Sequence, residues 1–280
     1  TGDAGSIEVR AGSLLVSAGA VLLSGVRKAD AQNPAAQGNG GNIAVEVRDR
    51  VSLTGNDTAI LANTGSGVVG RSGKIRITAT NGSISLADGA KLRTGTSGQG
   101  NAGQVTLRAG DAVSLTGGSR IEAEVDSGAV GNGGDVSIFA RSLSLTNGAS
   151  LVTRVSKAEA EKLAGRGDAG NVTANVREGV TLDRGFILTT VGDEVLGMSG
   201  EIAISARSLS LNNGSRLETA TSGGNPTQRS IAGNASINVR DRVTIPGSDR
   251  ANPSDRSGIF ATVSDRAQGG FGGNINITAR

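Results

Sequence analysis

Cysteine, histidine, tryptophan and tyrosine are absent from this 280-residue chain, and methionine occurs once. Each absence closes a class of chemistry. Without Cys there is no disulfide framework, and without Cys and His there is no zinc site of the usual ligands. No Ser-His-Asp or Cys-His nucleophile system can form, and no imidazole can switch charge near neutral pH. Four Phe are the only aromatics, so stacking platforms for sugars or bases are nearly missing. Charge is sparse and balanced, 28 basic residues against 25 acidic for a net +3, a weak attraction for nucleic acid. No run reaches 18 apolar residues, so no membrane-spanning helix is expected. The opening TGDAGSIEVR has neither the basic nor the apolar region of a signal peptide, and reads as the start of a mature, processed or excised chain. Lack of Cys fits either a reducing compartment or a bacterial surface protein.

What is abundant is glycine, 45 residues, and it is ordered. One phrase recurs: Gly, a polar residue, then alternating apolar and polar positions, often closing on Arg. The copies are GSIEVRA, GNIAVEVR, GKIRITAT, GQVTLRAG, GDVSIFAR, GNVTANVR, GEIAISAR, GNASINVR and GNINITAR, led by Gly5, Gly41, Gly73, Gly103, Gly134, Gly170, Gly200, Gly233 and Gly273. A second apolar pair follows in each (Val51/Leu53, Ile84/Leu86, Val113/Leu115, Leu143/Leu145), then a turn glycine (Gly55, Gly89, Gly118, Gly148, Gly185, Gly214), then a third short segment such as KLRT, RIEA, SLVT, ILTT or RLET. Period-two alternation means strands with one buried face, and the breaks carry residues that tolerate positive φ.

Three such strands cannot bury a face alone, so the repeats must stack. Strand one then lies on strand one of the next copy at about 4.8 Å, and equivalent apolar residues form columns, Ile7 to Ile275 and Val9 to Ile277. The expected fold is all-β: a right-handed parallel β-helix, or β-solenoid, of about nine coils of about 30–36 residues, with three short strands per coil, forming a single domain over residues 1–280. The rival arrangement is a β-propeller, whose repeats usually run longer and carry aromatic signatures.

The phrase G-x-G-G-[ND]-[IV]-x-[IV]-x-[AV]-R followed by [VL]-S-L-x-[ND]-G-[SA]-x-[IL]-x-[TA], clearest at Gly131–Val155 and Gly197–Thr221, resembles the repeats of filamentous haemagglutinin-type exoproteins of Gram-negative bacteria, especially cyanobacterial members. The resemblance runs over essentially the whole chain. It implies two-partner secretion through an outer-membrane transporter, an extracellular, cell-surface location, and service as an adhesin or fibre. The family's N-terminal secretion domain is not visible, since Asn33-Pro34 lacks the expected surroundings. The chain reads as an internal stretch of repeats or a fibre subunit, with homotypic end-to-end or lateral association as the expected partnership.

Arg48, Arg141, Arg177, Arg207, Arg240 and Arg280 close strand one in six copies, interrupted by Thr80 and Gly110. Stacked on one corner they would form a ridge able to face an anionic glycan or polysaccharide. The competing reading is local compensation, since Asp49, Glu178 and Asp241 directly follow three of them. The residue after each leading glycine is polar in all nine copies, which suits stacked amides or turn satisfaction. A calcium reading of the same turns lacks the repeated nonapeptide pattern, and no metal or cofactor is expected. Thr recurs on strand three (Thr94, Thr96, Thr153, Thr189, Thr190, Thr219, Thr221). A flat Thr array can bind ice, but Arg93, Arg154 and Glu218 would break it, and β-propensity accounts for Thr there.

Insertions at Ala29–Gln37, Val155–Gly165 and Thr221–Ser230 follow strand three, and Ser248–Arg256 follows strand two. They read as surface loops or a binding side, with Ser156–Glu159 a capping box opening a short helix over Lys157–Ala164. For catalysis a β-helix needs carboxylates clustered in a groove. Only Glu122 and Glu124, with Arg120 beside them, share a strand face, and no aromatic subsite accompanies them. No enzyme activity and no catalytic residue is therefore expected.

Overall fold

The computed structural model describes residues 2–28, 36–157, 165–193, 195, 197–222, 231–246, 256–263 and 270–280. The short helix expected over 157–164 and most of the four insertions lie outside the described residues. Among the described residues every regular element is a strand.

The strands form three faces. Face one consists of Ile7–Ala11, Ile43–Val47, Ile75–Ala79, Val105–Ala109, Val136–Ala140, Val172–Val176, the first halves of Ile202–Asn212 and Ala235–Thr244, and Ile275–Ala279. Face two runs from Leu14–Ser17 through Val51–Thr54 to the second halves of the same two long strands, and face three from Val21–Leu23 to Gly258–Val263. Every pairing is parallel and joins equivalent strands of successive repeats, as in Val105↔Val136 and Leu107↔Ile138. That is the β-solenoid: eight full triplets and the first strand of a ninth.

Alternation puts the apolar columns inside. Ile43, Ile75, Val105, Val136, Val172 and Ile202 of face one, Leu53 and Leu145 of face two, and Ile60, Leu92, Ile121, Leu151, Ile187 and Leu217 of face three are all fully buried in one continuous core. The terminal rungs differ: Ile275 and Ile277, on the inward columns, are exposed because each lacks one stacked neighbour, whereas Leu15 and Leu23, the latter 59% exposed, stand at outward positions in register with Ser52 and Leu61. Two corners are also smoother than the repeat suggests. Ile202–Asn212 and Ala235–Thr244 run unbroken from face one to face two, with a register shift between Ala206 and Ser208.

Stacking explains why the leading glycine recurs. A Cβ on Gly41, Gly73, Gly103, Gly134, Gly170, Gly200, Gly233 or Gly273 would collide with the backbone carbonyl of the preceding coil's glycine. A second glycine column sits three residues earlier, at the position that opens the G-x-G-G phrase: Gly38, Gly70, Gly100, Gly131, Gly167 and Gly197 meet the same obstacle, and four of them also have positive φ. Between faces two and three the turn needs the left-handed region in successive coils, filled by Asp88-Gly89, Gly117-Gly118, Asn147-Gly148 and Asn213-Gly214. In the sixth coil Arg184, not Gly185, takes the positive φ, at 51°.

The strand-three threonines do not form an outward array. Thr94, Thr153, Thr189 and Thr219 are fully buried. Each hydroxyl donates to the carbonyl of the next coil's leading glycine: Thr94 to Gly103 (2.6 Å), Thr153 to Gly170 (2.5 Å), Thr189 to Gly200 (2.6 Å) and Thr219 to Gly233 (2.5 Å). The bond spans 9, 17, 11 and 14 residues respectively, so it closes the base of the return loop whatever the loop's length. Thr96 and Thr221 also point inward, and Ala123 occupies the clamp position in the fourth coil.

Candidate functional site: an arginine-edged groove

The polar residue after each leading glycine builds a ladder. Asn42 Oδ1 accepts from the Lys74 N–H (2.9 Å), Asp135 Oδ1 from Asn171 (2.8 Å), Asn171 Oδ1 from Glu201 (2.8 Å) and Asn234 Oδ1 from Asn274 (2.9 Å). A second ladder runs beside it from Asp3 to Asn39, Asn39 to Arg71, Asn101 to Asn132, Asn132 to Asp168 and Asp168 to Met198. These oxygens therefore satisfy backbone donors of the adjacent coil, and Asp135 is one rung among several.

At the corner between faces one and two, strand one ends and the chain turns. Pairing in register places Arg141, Arg177, Arg207, Arg240 and Arg280 on successive coils, with Arg48 further back. All are exposed. Their charge is compensated unevenly. Arg48 binds Asp49 at 3.0 Å, Arg141 binds Glu178 of the next coil at 2.8 Å, and Arg207 faces Asp241 of the next coil at 3.8 Å. Hydrogen bonding from Arg48 holds the Asp49 carboxyl below its ordinary range, and the bond to Glu178 raises the Arg141 guanidinium. Arg177 and Arg240 form no ion pair among the described residues. Instead Arg177 reaches two coils back and donates to the Gly110 carbonyl at 3.3 Å, across the gap that Thr80 and Gly110 leave in the ridge.

Beside the ridge runs a groove. Its other edge is the outward column of face one, Thr78, Arg108, Phe139, Asn175, Ser205 and Asn238, each in register with the next. Between the edges the floor is lined by the strand-end residues Ala79, Ala109, Ala140, Val176 and Ala206, whose side chains belong to the core. One section, of about 430 Å³, lies between Thr78 and Arg177, and a second, of about 320 Å³, continues to Asn238 and Arg240; they share Asn175 and Arg177. The Arg108 guanidinium lies over the Phe139 ring, 4.0 Å from its centroid, a cation–π contact. No acidic residue lines either section. Sequence reading found the ridge but not Arg108, Phe139, Asn175 or Asn238. The signal was present in the strand-one alternation, because these are the outward positions one step before the Arg.

Glu122 and Glu124 do not sit in this groove. They are 8% and 4% exposed on face three, within a charge cluster centred on Arg93. Arg93 binds Asp126 at 2.6 Å and lies within 3.7 Å of Glu122 and 3.9 Å of Glu124; Arg154 reaches Glu124 at 2.9 Å and Arg120 reaches Glu122 at 3.8 Å. Burial pushes the Glu124 carboxyl up despite Arg154. Burial lowers Arg93, and its three carboxylates more than restore it. A separate opening of about 730 Å³ lies at the corner of faces two and three, lined by Asn147, Arg184, Phe186, Leu188, Arg216 and Glu218 among others.

Fold and corner together define a parallel β-solenoid repeat protein with a basic, acid-free groove along one edge. No protein-family model, no curated protein and no solved structure matches the chain.

Proposed function

We propose that this chain is a structural stretch of a secreted, rod-like surface adhesin or extracellular fibre, working through span, stiffness and surface display. The observation that carries this reading is the one-rung-per-repeat stacking of three parallel faces around a single core. Eight steps of about 4.8 Å make a shaft of roughly 40 Å. The repeat phrases support a filamentous haemagglutinin-like setting, with export through an outer-membrane transporter and homotypic association on the cell surface. Catalysis plays no part in this reading. Electron microscopy of the native material tests it. Long unbranched fibres with axial order near 4.8 Å are expected, and compact monodisperse particles would overturn it.

The groove favours a second reading, a module that binds anionic polysaccharide or a cell-surface glycan. Its support is the acid-free lining and Arg177 and Arg240, which form no ion pair among the described residues. A polysaccharide lyase or hydrolase has less support, because Glu122 and Glu124 are held among arginines away from either groove.

A further inference from the structure

We propose that the opening around Phe186, at the corner of faces two and three, is a binding site for a short neutral saccharide, one or two pyranose rings in size. It lies on a different corner from the arginine-edged groove and depends on neither proposed function.

One repeat departs from the pattern at this corner. In the fifth and seventh coils three residues, 147–149 and 213–215, join the paired positions Thr146 to Ser150 and Asn212 to Arg216; in the sixth only two, Arg184 and Gly185, join Asp183 to Phe186. The missing residue is the positive-φ glycine that the neighbouring coils supply as Gly148 and Gly214. The turn bond goes with it. The Ala149 and Ser215 N–H groups donate to the carbonyl three residues back, whereas the Gly185 N–H donates to Ser215 Oγ at 3.2 Å. Arg184 holds φ of +51° without the freedom of a glycine, so strain collects at this turn. The shortened turn leaves a gap between its neighbours, and Gly148 and Gly214 both line the resulting cavity of about 730 Å³. That size falls among ordinary small-molecule sites, about 300–1,000 Å³.

The lining suits a sugar. Phe186 and Leu188 supply apolar surface, and Phe186 stands where the coils on either side carry Ser150 and Arg216. Polar groups surround it. Arg184 donates to Asn147 Oδ1 at 2.7 Å, Asn213 donates to Asp183 Oδ1 at 2.8 Å, and Arg216 lies 3.8 Å from Glu218 and over the Phe260 ring. These contacts fix the side chains, and each side chain has more donors or acceptors than they use. A pyranose has the matching chemistry: a C–H face for the Phe186 ring, and hydroxyls that donate to Glu218 and accept from Arg184, Asn213 and Arg216. With Glu218 beside Arg216 and Asp183 next to Arg184, the rim carries no net charge, which favours a neutral sugar.

The scarcity of aromatics makes the test direct. The 280-residue protein with isotope-labelled phenylalanine gives four ring signals, assigned with Phe139→Leu, Phe186→Leu, Phe260→Leu and Phe271→Leu. It is titrated by NMR with cellobiose, lactose and maltose, and with glycerol as a control. At least one disaccharide should move the Phe186 signal saturably and leave Phe139, in the groove, in place. The effect should be the same at low and high salt, because no net charge is matched, and glycerol should have none. Saturation transfer from protein to sugar gives a second readout. Phe186→Leu keeps the apolar surface without the ring and should weaken binding by about fivefold or more. Inserting one Gly between Arg184 and Gly185 restores the three-residue turn and should abolish binding; thermal melts check that both variants fold, and Phe186→Leu decides if the insertion does not.

A Phe186 signal unmoved by all three sugars, or moved equally by glycerol, would overturn the site, as would undiminished binding by Phe186→Leu. A shift of Phe139 in place of Phe186 would put the sugar in the groove, overturning this site while supporting the glycan reading of the ridge.

Discussion

At the residue scale, two kinds of glycine are separable by substitution. Gly148 has φ of +81°, and a Cβ there would make only ordinary van der Waals contact with Gly118, so Gly148→Ala should cost about 1 kcal/mol from backbone strain alone. Gly134 meets the Gly103 carbonyl, so Gly134→Ala must push two coils apart and should cost about 3 kcal/mol or more. Denaturant unfolding of both variants checks the order. The threonine clamp gives a second pair. Thr153→Val strands the Gly170 carbonyl in the interior and should cost about 1–3 kcal/mol. Ala123→Thr installs the absent rung opposite Gly134 and should gain about 1 kcal/mol. Glu124 sets a pH dependence. Its carboxyl is raised by burial, so the folded state holds a proton that the unfolded chain has already released. In that window, from the ordinary Glu range up to the raised folded value, stability falls as pH rises. Glu124→Gln should flatten this slope, measured as melting temperature between acid and neutral pH.

At the scale of the element, legibility depended on what each signal required. Strand one could be read directly: GDVSIFAR alternates strictly, and Val136 and Ile138 are fully buried as that alternation demands. The ridge was legible for the same reason, since equal spacing becomes stacking once the repeats pair in register. The inward direction of the strand-three threonines follows from the same alternation, since Thr94 and Thr153 stand two residues after the buried Leu92 and Leu151; what the sequence does not display is the partner of their hydroxyls, a glycine carbonyl 9 or 17 residues away. The groove's second edge escaped notice because Thr78, Arg108, Phe139, Asn175 and Asn238 share a column but no chemistry. Phe139 in particular stands apart from any aromatic pattern and acquires meaning only from Arg108 one coil below. The second glycine column was visible as Gly-x-x-Gly, at Gly100 and Gly103 for example, but its necessity comes from a clash that only stacking creates.

For the whole molecule, stability is expected to vary along the shaft. Inner coils have neighbours on both sides, whereas Ile7–Ala11 and Ile275–Ala279 have one partner strand each on face one. Nearest-neighbour stacking of this kind predicts fraying from the terminal rungs inward. Amide hydrogen exchange should therefore be fastest at these two strands and slowest around Val105–Ala140. Uniform protection along the chain would contradict independent stacking terms.

The buried threonine clamp has a further effect on how such a chain can change over generations. In the four coils that carry it, it ties strand three to the next coil across the mouth of the return loop, with the same geometry over nine residues or seventeen. Lengthening or shortening of the outer loop then leaves the pitch of the shaft untouched. Loop sequence and shaft sequence become separately variable, so new surface motifs can be tried at that corner without renegotiating the register of any strand.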